Sequence, residues 1–185
     1  MYKDQDLIKY YLIIVQGNAR GGVLYAPSTW PRPVAEDGVE VSNSEKLIVE
    51  LRDGDYRNFN MCVGHANIVS EEFKDAIHTI IADTSDLEFL PIQAHSTIYG
   101  DRKYYIMHFK KIFDVLDEKR TLYVSGTSSI IKPWVDYEKV KELDIFNFRP
   151  LTNDVIISER VKKLLCKLKL NDGIEFQPVF CYHKS

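Results

Sequence analysis

The chain lacks the features that would place it in a membrane or in an oxidising compartment. It has 185 residues and no apolar run near the roughly 18 residues of a membrane span, and its acidic N-terminus has no signal-peptide core. Its three cysteines, Cys62, Cys166 and Cys181, are an odd number at irregular spacing, which favours free thiols over disulfides. These absences predict a cytoplasmic protein.

An excess of positive charge is also missing. The formal net charge is -3 and the isoelectric point about 6.0, so the chain as a whole does not attract phosphate backbones. The one basic cluster runs from Arg160 to Lys169, and aromatic residues are not interleaved with its charges. A solvated helix face is therefore the favoured interpretation, and a weak nucleic-acid-binding module is kept only as an alternative.

Motifs of catalysis and metal binding are absent as well. The serine-rich run 125–129 lacks the Gly-x-Ser-x-Gly elbow, and His78, His95 and His108 stand in no motif that would orient a general base. Two Cys-His pairs lack the second cysteine of a zinc knuckle; they are Cys62 with His65 and Cys181 with His183. We therefore expect no catalytic residues, cofactor or metal, while a small enzyme or ligand-binding domain with an unrecognised site remains the alternative.

An internal sequence repeat is the most informative positive feature. Residues 69–92 and 157–179 align once a single residue is removed from the first stretch. In each, a serine suited to an N-cap, Ser70 or Ser158, is followed by a glutamate and by apolar residues at helical spacing. Each stretch then breaks and resumes as a strand that contains Glu-Phe-x-Pro. The pattern predicts two pseudo-repeated units, each a capped helix followed by a strand.

The rest of the chain predicts an α+β fold with a mainly antiparallel sheet, in a single domain spanning 1–185. Residues 1–45 are less defined, because a strand is followed by a Pro/Gly-rich loop at 17–38. Pro133 marks an edge or bulged strand. Runs rich in β-branched and aromatic residues predict strands at 10–15, 46–51, 104–109, 121–125, 130–137 and 145–148.

Several segments, in order, resemble a known family. Residues 144–146, 154–160 and 173–179 are similar to the signature of bacterial polymorphic-toxin immunity proteins of family eleven, formerly a domain of unknown function, or of a close sister family. Earlier segments follow the same order: 69–73, 89–92, 103–108 and 114–117. The resemblance spans 47–179 and departs from the family at Asn171-Asp172-Gly173, where a Thr-Gly pair is usual. It implies a cytoplasmic protein that neutralises a cognate toxin by occlusion, without catalysis.

A partner-binding surface is expected outside the resemblance. The loop at 17–38 holds Trp30 and Arg32 beside prolines, with Glu36 and Asp37 just beyond. Tryptophan and arginine are the residue types most often found as binding hot spots, and prolines lower the entropy lost on binding. The alternative is that Trp30 folds back and caps the sheet. A second candidate surface is the acidic turn with Asp53, Asp55 and Tyr56.

Overall fold

The fold is α+β, as predicted, and it is built mainly from strands. The computed structural model describes residues 7–16, 21–27, 30, 40–61, 66–81, 86–148 and 154–182. The strands are β1 (Leu7–Val15), β2 (Val23–Tyr25), β3 (Ile48–Arg52), β4 (Phe59–Met61), β5 (Asn67–Val69), β6 (Leu87–His95), β7 (Arg102–Phe109), β8 (Leu122–Tyr123), β9 (Ile130–Lys132), β10 (Trp134–Asp136), β11 (Ile145–Phe146), β12 (Ile156–Ser158) and β13 (Ile174–Tyr182).

Helices are short by comparison. They are α1 (Glu71–His78), α2 (Tyr137–Val140) and α3 (Glu159–Lys167), and a 3₁₀ turn covers Ser44–Lys46. In the ranges given above, no helix is long and apolar enough to cross a membrane.

The strands form a six-stranded sheet, a five-stranded sheet and the ribbon β8–β9. The six-stranded sheet has the order β2-β3-β6-β7-β5-β4, and the five-stranded sheet has the order β10-β13-β1-β12-β11. In the first sheet, β3 and β6 pair in parallel, and each further neighbour in the series β6-β7-β5-β4 pairs antiparallel. In the second sheet, β10 and β13 pair in parallel, and each further neighbour in the series β13-β1-β12-β11 pairs antiparallel. The N-terminal strand β1 thus occupies the place in its sheet that β7 occupies in the other.

The helices α1 and α3 contact each other, and their apolar faces share one buried cluster with residues of both sheets. Phe73 and Ile77 on α1 and Val161 and Leu165 on α3 are fully buried in it. A second cluster includes Tyr10, Phe146 and Val179, and a third includes Leu24, Val49 and Ile106. Because side chains alternate along a strand, these two clusters take the residues that point away from the helices.

Both predicted N-caps are present. The hydroxyl of Ser70 accepts from the N–H of Phe73 at 3.2 Å, and the hydroxyl of Ser158 accepts from the N–H of Val161 at 3.3 Å. Each serine hydroxyl also donates to the residue just before the preceding hairpin, Asn58 Oδ1 at 2.8 Å or Asp144 Oδ1 at 2.6 Å.

A tyrosine, a glutamate and a lysine meet at the first turn of each of these helices. The residues are Tyr105, Glu71 and Lys74 at α1, and Tyr11, Glu159 and Lys162 at α3. The lysine nitrogen lies 4.2 Å from the Tyr105 ring centre and 3.7 Å from the Tyr11 ring centre. The Tyr105 hydroxyl donates to Glu71 at 2.9 Å, and the hydrogen bond from Tyr11 lowers the pKa of Glu159.

Two expectations about the strands were wrong in detail. The sequence predicted one mainly antiparallel sheet, but the strands form two main sheets: β6, which follows α1, and β13, which follows α3, lie in different sheets. The strand expected at 130–137 is divided at Pro133, which has no N–H for a ladder, and it ends where the Asp136 side chain accepts from the N–H of Glu138 at 3.1 Å.

Candidate functional site

An aromatic group with one cation lies where the β6–β7 hairpin turns. The Tyr56 ring stacks on Tyr104 with 5.6 Å between ring centres, and Tyr99 meets its edge at 6.4 Å. The guanidinium of Arg102 lies 4.6 Å from the Tyr56 ring centre. We call these four residues, together with Ile98, the Tyr56 surface.

Hydrogen bonds to the backbone fix the two stacked rings. The Tyr56 hydroxyl lies 2.8 Å from the carbonyl oxygen of Gly100 and 3.1 Å from that of Ala94, while Tyr104 donates to the carbonyl of Arg57 at 2.7 Å. Burial raises the pKa of both phenols. Both side chains are therefore neutral donors with settled orientations.

The hairpin turn presents apolar side chains to solvent. Ile98 is 79% exposed and Tyr99 is 45% exposed. The Ser96 hydroxyl accepts from the backbone N–H of both residues at 3.2 Å, and Gly100 has a φ of 74°, which favours glycine. The turn is thus ordered before any partner arrives, which reduces the entropy lost on binding.

A polar cleft of about 360 Å³ adjoins this group. Its walls carry the first turn of α1, with Glu71 and Glu72, and cations from the other side. The full lining is Tyr56, Arg57, Asn58, Ser70, Glu71, Glu72, Arg102, Lys103 and Tyr104. Charges of both signs around an aromatic floor resemble the polar rim of a protein interface.

The predicted acidic turn borders the Tyr56 surface. Asp53 and Gly54 have φ values of 55° and 112°, as a tight turn requires. The backbone of Asp55 pairs with that of Gly21 in an isolated parallel β-bridge. The hydrogen bond from Tyr99 to Asp55 raises the pKa of the Tyr99 phenol. The structure therefore brings Asp55 and Tyr56 together through Tyr99.

Trp30 lies against the outer face of the six-stranded sheet. Its ring is half-buried, its Nε1 donates to the carbonyl of Ile48 at 3.1 Å, and it packs against the same apolar cluster as Tyr56. This placement matches the alternative in which Trp30 caps the sheet, and a contact role stays a prediction. Arg32, Glu36 and Asp37 lie outside the described residues.

A second concave site opens where α1 ends. It is a cavity of about 180 Å³ lined by seven apolar and three acidic residues. We call it the acidic pocket. Its lining is Ile80, Ile81, Asp86, Leu87, Phe109, Phe113, Glu142, Leu143, Asp144 and Ile145. Asp144 is already held by the Ser158 hydroxyl and by the guanidinium of Arg160.

An arginine lies beyond the end of α3. Arg57 is only 6% exposed, and its Nη1 donates to the carbonyl of Gln16 at 2.8 Å. A Cβ atom at Gly173 would lie 2.8 Å from that nitrogen, and one at Gly21 would overlap the guanidinium. The guanidinium therefore packs directly against the backbone at both glycines, and Gly173 also has a φ of 71°, which favours glycine. We call this the Arg57 corner.

The acidic pocket and the Arg57 corner share one backbone hydrogen bond and one position relative to a strand. In the pocket, the N–H of Lys110 donates to the carbonyl of Asp86 at 2.9 Å; in the corner, the N–H of Gln16 donates to the carbonyl of Gly173 at 2.8 Å. Leu143 lies two residues before β11, as Arg57 lies two residues before β4. The two sites differ in which side chain enters the space.

Histidine and cysteine do not assemble a recognisable reactive centre in the part of the chain that is described. His108 is buried and bonds Glu88 through Nδ1 at 2.9 Å, and its Nε2 has no hydrogen-bond partner. Burial raises the pKa of Cys181 to about 12, which leaves that thiol inert at neutral pH. No three His, Cys, Asp or Glu side chains of the described ranges lie together as metal ligands. Cys62, His65 and His183 are outside those ranges.

Cations of the basic face on α3 are engaged with the protein itself. Arg160 pairs with Asp144, Lys163 lies 3.5 Å from Glu159, and Lys162 covers an aromatic ring. Exposed pairs of this kind contribute little to stability, but they reduce the charge available to phosphate groups.

Compared with known proteins, the chain matches no protein-family model. No curated protein is significantly similar to it either.

Proposed function

We propose that the protein is a binding protein that neutralises a cognate bacterial toxin by covering it, as the resemblance to immunity proteins implies. The observation that carries this proposal is the Tyr56 surface, where exposed Ile98 and Tyr99 adjoin Tyr56 and Arg102. Tyrosine and arginine are among the residue types that most often dominate binding energy. A standard interface of about 1,600 Å² in total would extend from this centre over the polar cleft.

Internal duplication is part of the proposal. Two copies of one unit would explain the matching serine caps, the matching Tyr-Glu-Lys groups and the shared succession of strand directions. The first unit comprises β4, β5, α1, β6 and β7. The second comprises β11, β12, α3 and β13, and it is completed by β1 from the other end of the chain.

The binding proposal is tested by charging the exposed turn. Cells co-express the cognate toxin, from the neighbouring gene, with Ile98→Asp. This variant should protect the cells at least about tenfold less well than the parent, because it removes an apolar contact and a charge is desolvated at the centre of the interface. Ile131→Asp is the matched control, since Ile131 is 60% exposed on β9 of the separate ribbon.

Both variants should melt within about 2 °C of the parent, because surface substitutions rarely change stability by more than about 0.5 kcal/mol. Full protection by Ile98→Asp would remove the Tyr56 surface from the interface. Equal loss in both variants would indicate a general effect of added charge and would count against this site.

A further inference from the structure

We infer that the acidic pocket receives an arginine side chain from the partner protein. The inference rests on the proposed binding function and on the proposed duplication, and it adds a second contact at the end of the β6–β7 hairpin opposite the Tyr56 surface. Its evidence is the shape of the pocket, the acidic residues in its lining and the way the protein fills the corresponding space in its own second unit.

Shape and charge fit an arginine together. The floor is formed by aliphatic and aromatic side chains, among them Ile80, Leu87 and Phe109, and it suits the methylene stem of a long side chain. Asp86, Glu142 and Asp144 also line the pocket, and their carboxyl groups would meet a guanidinium at the end of that stem. A carboxylate can accept two parallel hydrogen bonds from one guanidinium, which a lysine cannot supply.

The protein itself shows how this space is occupied. Arg57 enters the Arg57 corner, lies against the backbone of Gly173 and donates to the carbonyl of Gln16. The corresponding position at the acidic pocket holds Leu143, which has no donor and a shorter side chain. A guanidinium from outside would take the role that Arg57 has within the chain.

Residue differences between the two sites favour a guanidinium at the pocket even more strongly. Where the corner has Gly173, the pocket has Asp86, and where the corner has Asn58, the pocket has Asp144. Each difference adds a carboxyl group. Since Asp144 is held by Ser158 and Arg160, we expect Asp86 and Glu142 to meet the incoming guanidinium.

A titration with an isolated side chain tests this without any toxin. N-acetyl-arginine methylamide is added to the ¹⁵N-labelled full chain, and the neutral citrulline analogue, which has nearly the same shape, serves as the matched ligand. We expect saturable shifts of the backbone amides around Ile80, Leu87 and Leu143 with the arginine compound alone. The double variant Asp86→Asn/Glu142→Gln should weaken binding about tenfold or more, as loss of a charge-assisted hydrogen bond implies.

The control variant Asp172→Asn/Glu45→Gln makes the same change of charge at two exposed positions and should bind as the parent does. Equal binding of the citrulline compound, shifts scattered over the surface, or parental binding by the double variant would overturn the inference. Because Ile98→Asp should leave this titration unchanged, failure of the pocket and failure of the Tyr56 surface are distinguished.

Discussion

The space beyond α3 is filled by the protein's own Arg57, whereas the described residues beyond α1 line a cavity of about 180 Å³ that includes three acidic residues in its lining. Around these spaces the two regions agree closely, from the serine caps to the lysines over tyrosine rings. The agreement concerns residues that hold helices on sheets. The differences concern side chains that remain able to contact a partner. Comparing the two regions therefore distinguishes the residues that hold the fold from the residues that are candidates for binding.

The largest effects are expected where the two regions are most alike. Ile77 and Leu165 are both fully buried, at the same distance beyond their serine caps. Ile77→Ala and Leu165→Ala should each lower the free energy of unfolding by about 2 to 5 kcal/mol, because each leaves a cavity in the shared cluster. Denaturant melts measure this, and Lys163→Ala on the exposed face of α3 should change it by no more than about 0.5 kcal/mol. A Leu165→Ala variant as stable as the parent would contradict the assignment of α3.

Truncating Arg57 should cost more free energy of unfolding than truncating Leu143, although both residues lie two positions before a strand. Arg57→Ala empties a closed corner and removes the donor to the Gln16 carbonyl, so we expect a loss of about 2 to 4 kcal/mol. Leu143→Ala removes a partly buried side chain that lines the acidic pocket and packs at the margin of the second cluster, and it should cost about 1 kcal/mol. Thermal unfolding of the two variants in parallel checks the order, and the reverse order would show that the corner is not a filled counterpart of the pocket.

The caps offer a finer comparison. Ser70→Ala and Ser158→Ala should each cost about 0.5 to 2 kcal/mol, because each removes the acceptor for a first-turn N–H. Ser158→Ala should lie at the upper end, since its hydroxyl donates to the carboxyl group of Asp144 rather than to the amide of Asn58. Serine-to-threonine variants keep the hydroxyl and are the controls. An unchanged free energy of unfolding in both alanine variants would show that the serine caps do not stabilise α1 and α3.

The smallest effect concerns Asp154, which lies four residues before Ser158. The residue four positions before Ser70 is the buried Ala66. Burial raises the pKa of Asp154, so the folded state binds its proton more tightly than the unfolded state does. Stability is therefore lost as pH rises from the ordinary pKa to the raised one, and the cost is complete above it. Asp154→Asn should stabilise the protein at pH 7 by about 0.5 kcal/mol and reduce the slope of stability against pH in the acidic range, as pH-dependent melts would show. An unchanged slope would place the carboxyl group in water.

The sequence predicted the parts of the fold that depend on neighbouring residues. The serine caps and the apolar faces of α1 and α3 are local patterns, and both helices begin where those patterns indicate. The role of β1 was missed, although Lys9-Tyr10-Tyr11 echoes Lys103-Tyr104-Tyr105. A three-residue match is weak by itself. Residues 103–105 follow β6 in the chain, whereas residues 9–11 lie in the first strand, so chain order concealed the match.

The candidate sites were less predictable for a physical reason. Tyr56 was singled out, but its stacking on Tyr104 and its contact with Tyr99 depend on the pairing of β6 and β7. The acidic pocket draws residues from the end of α1, from two strands and from the approach to β11. Only tertiary structure brings such segments together, and no local pattern marks their meeting.

The most direct test of the account is the variant Leu143→Arg, which gives the acidic pocket the arginine that the Arg57 corner already has. We predict a crystal structure with the new guanidinium inside the pocket beside Asp86 or Glu142, a melting temperature no lower than that of the control Leu143→Met, and loss of binding to N-acetyl-arginine methylamide. A guanidinium pointing into solvent, with the compound bound as tightly as by the parent, would contradict the claim that the pocket is the open counterpart of the Arg57 corner.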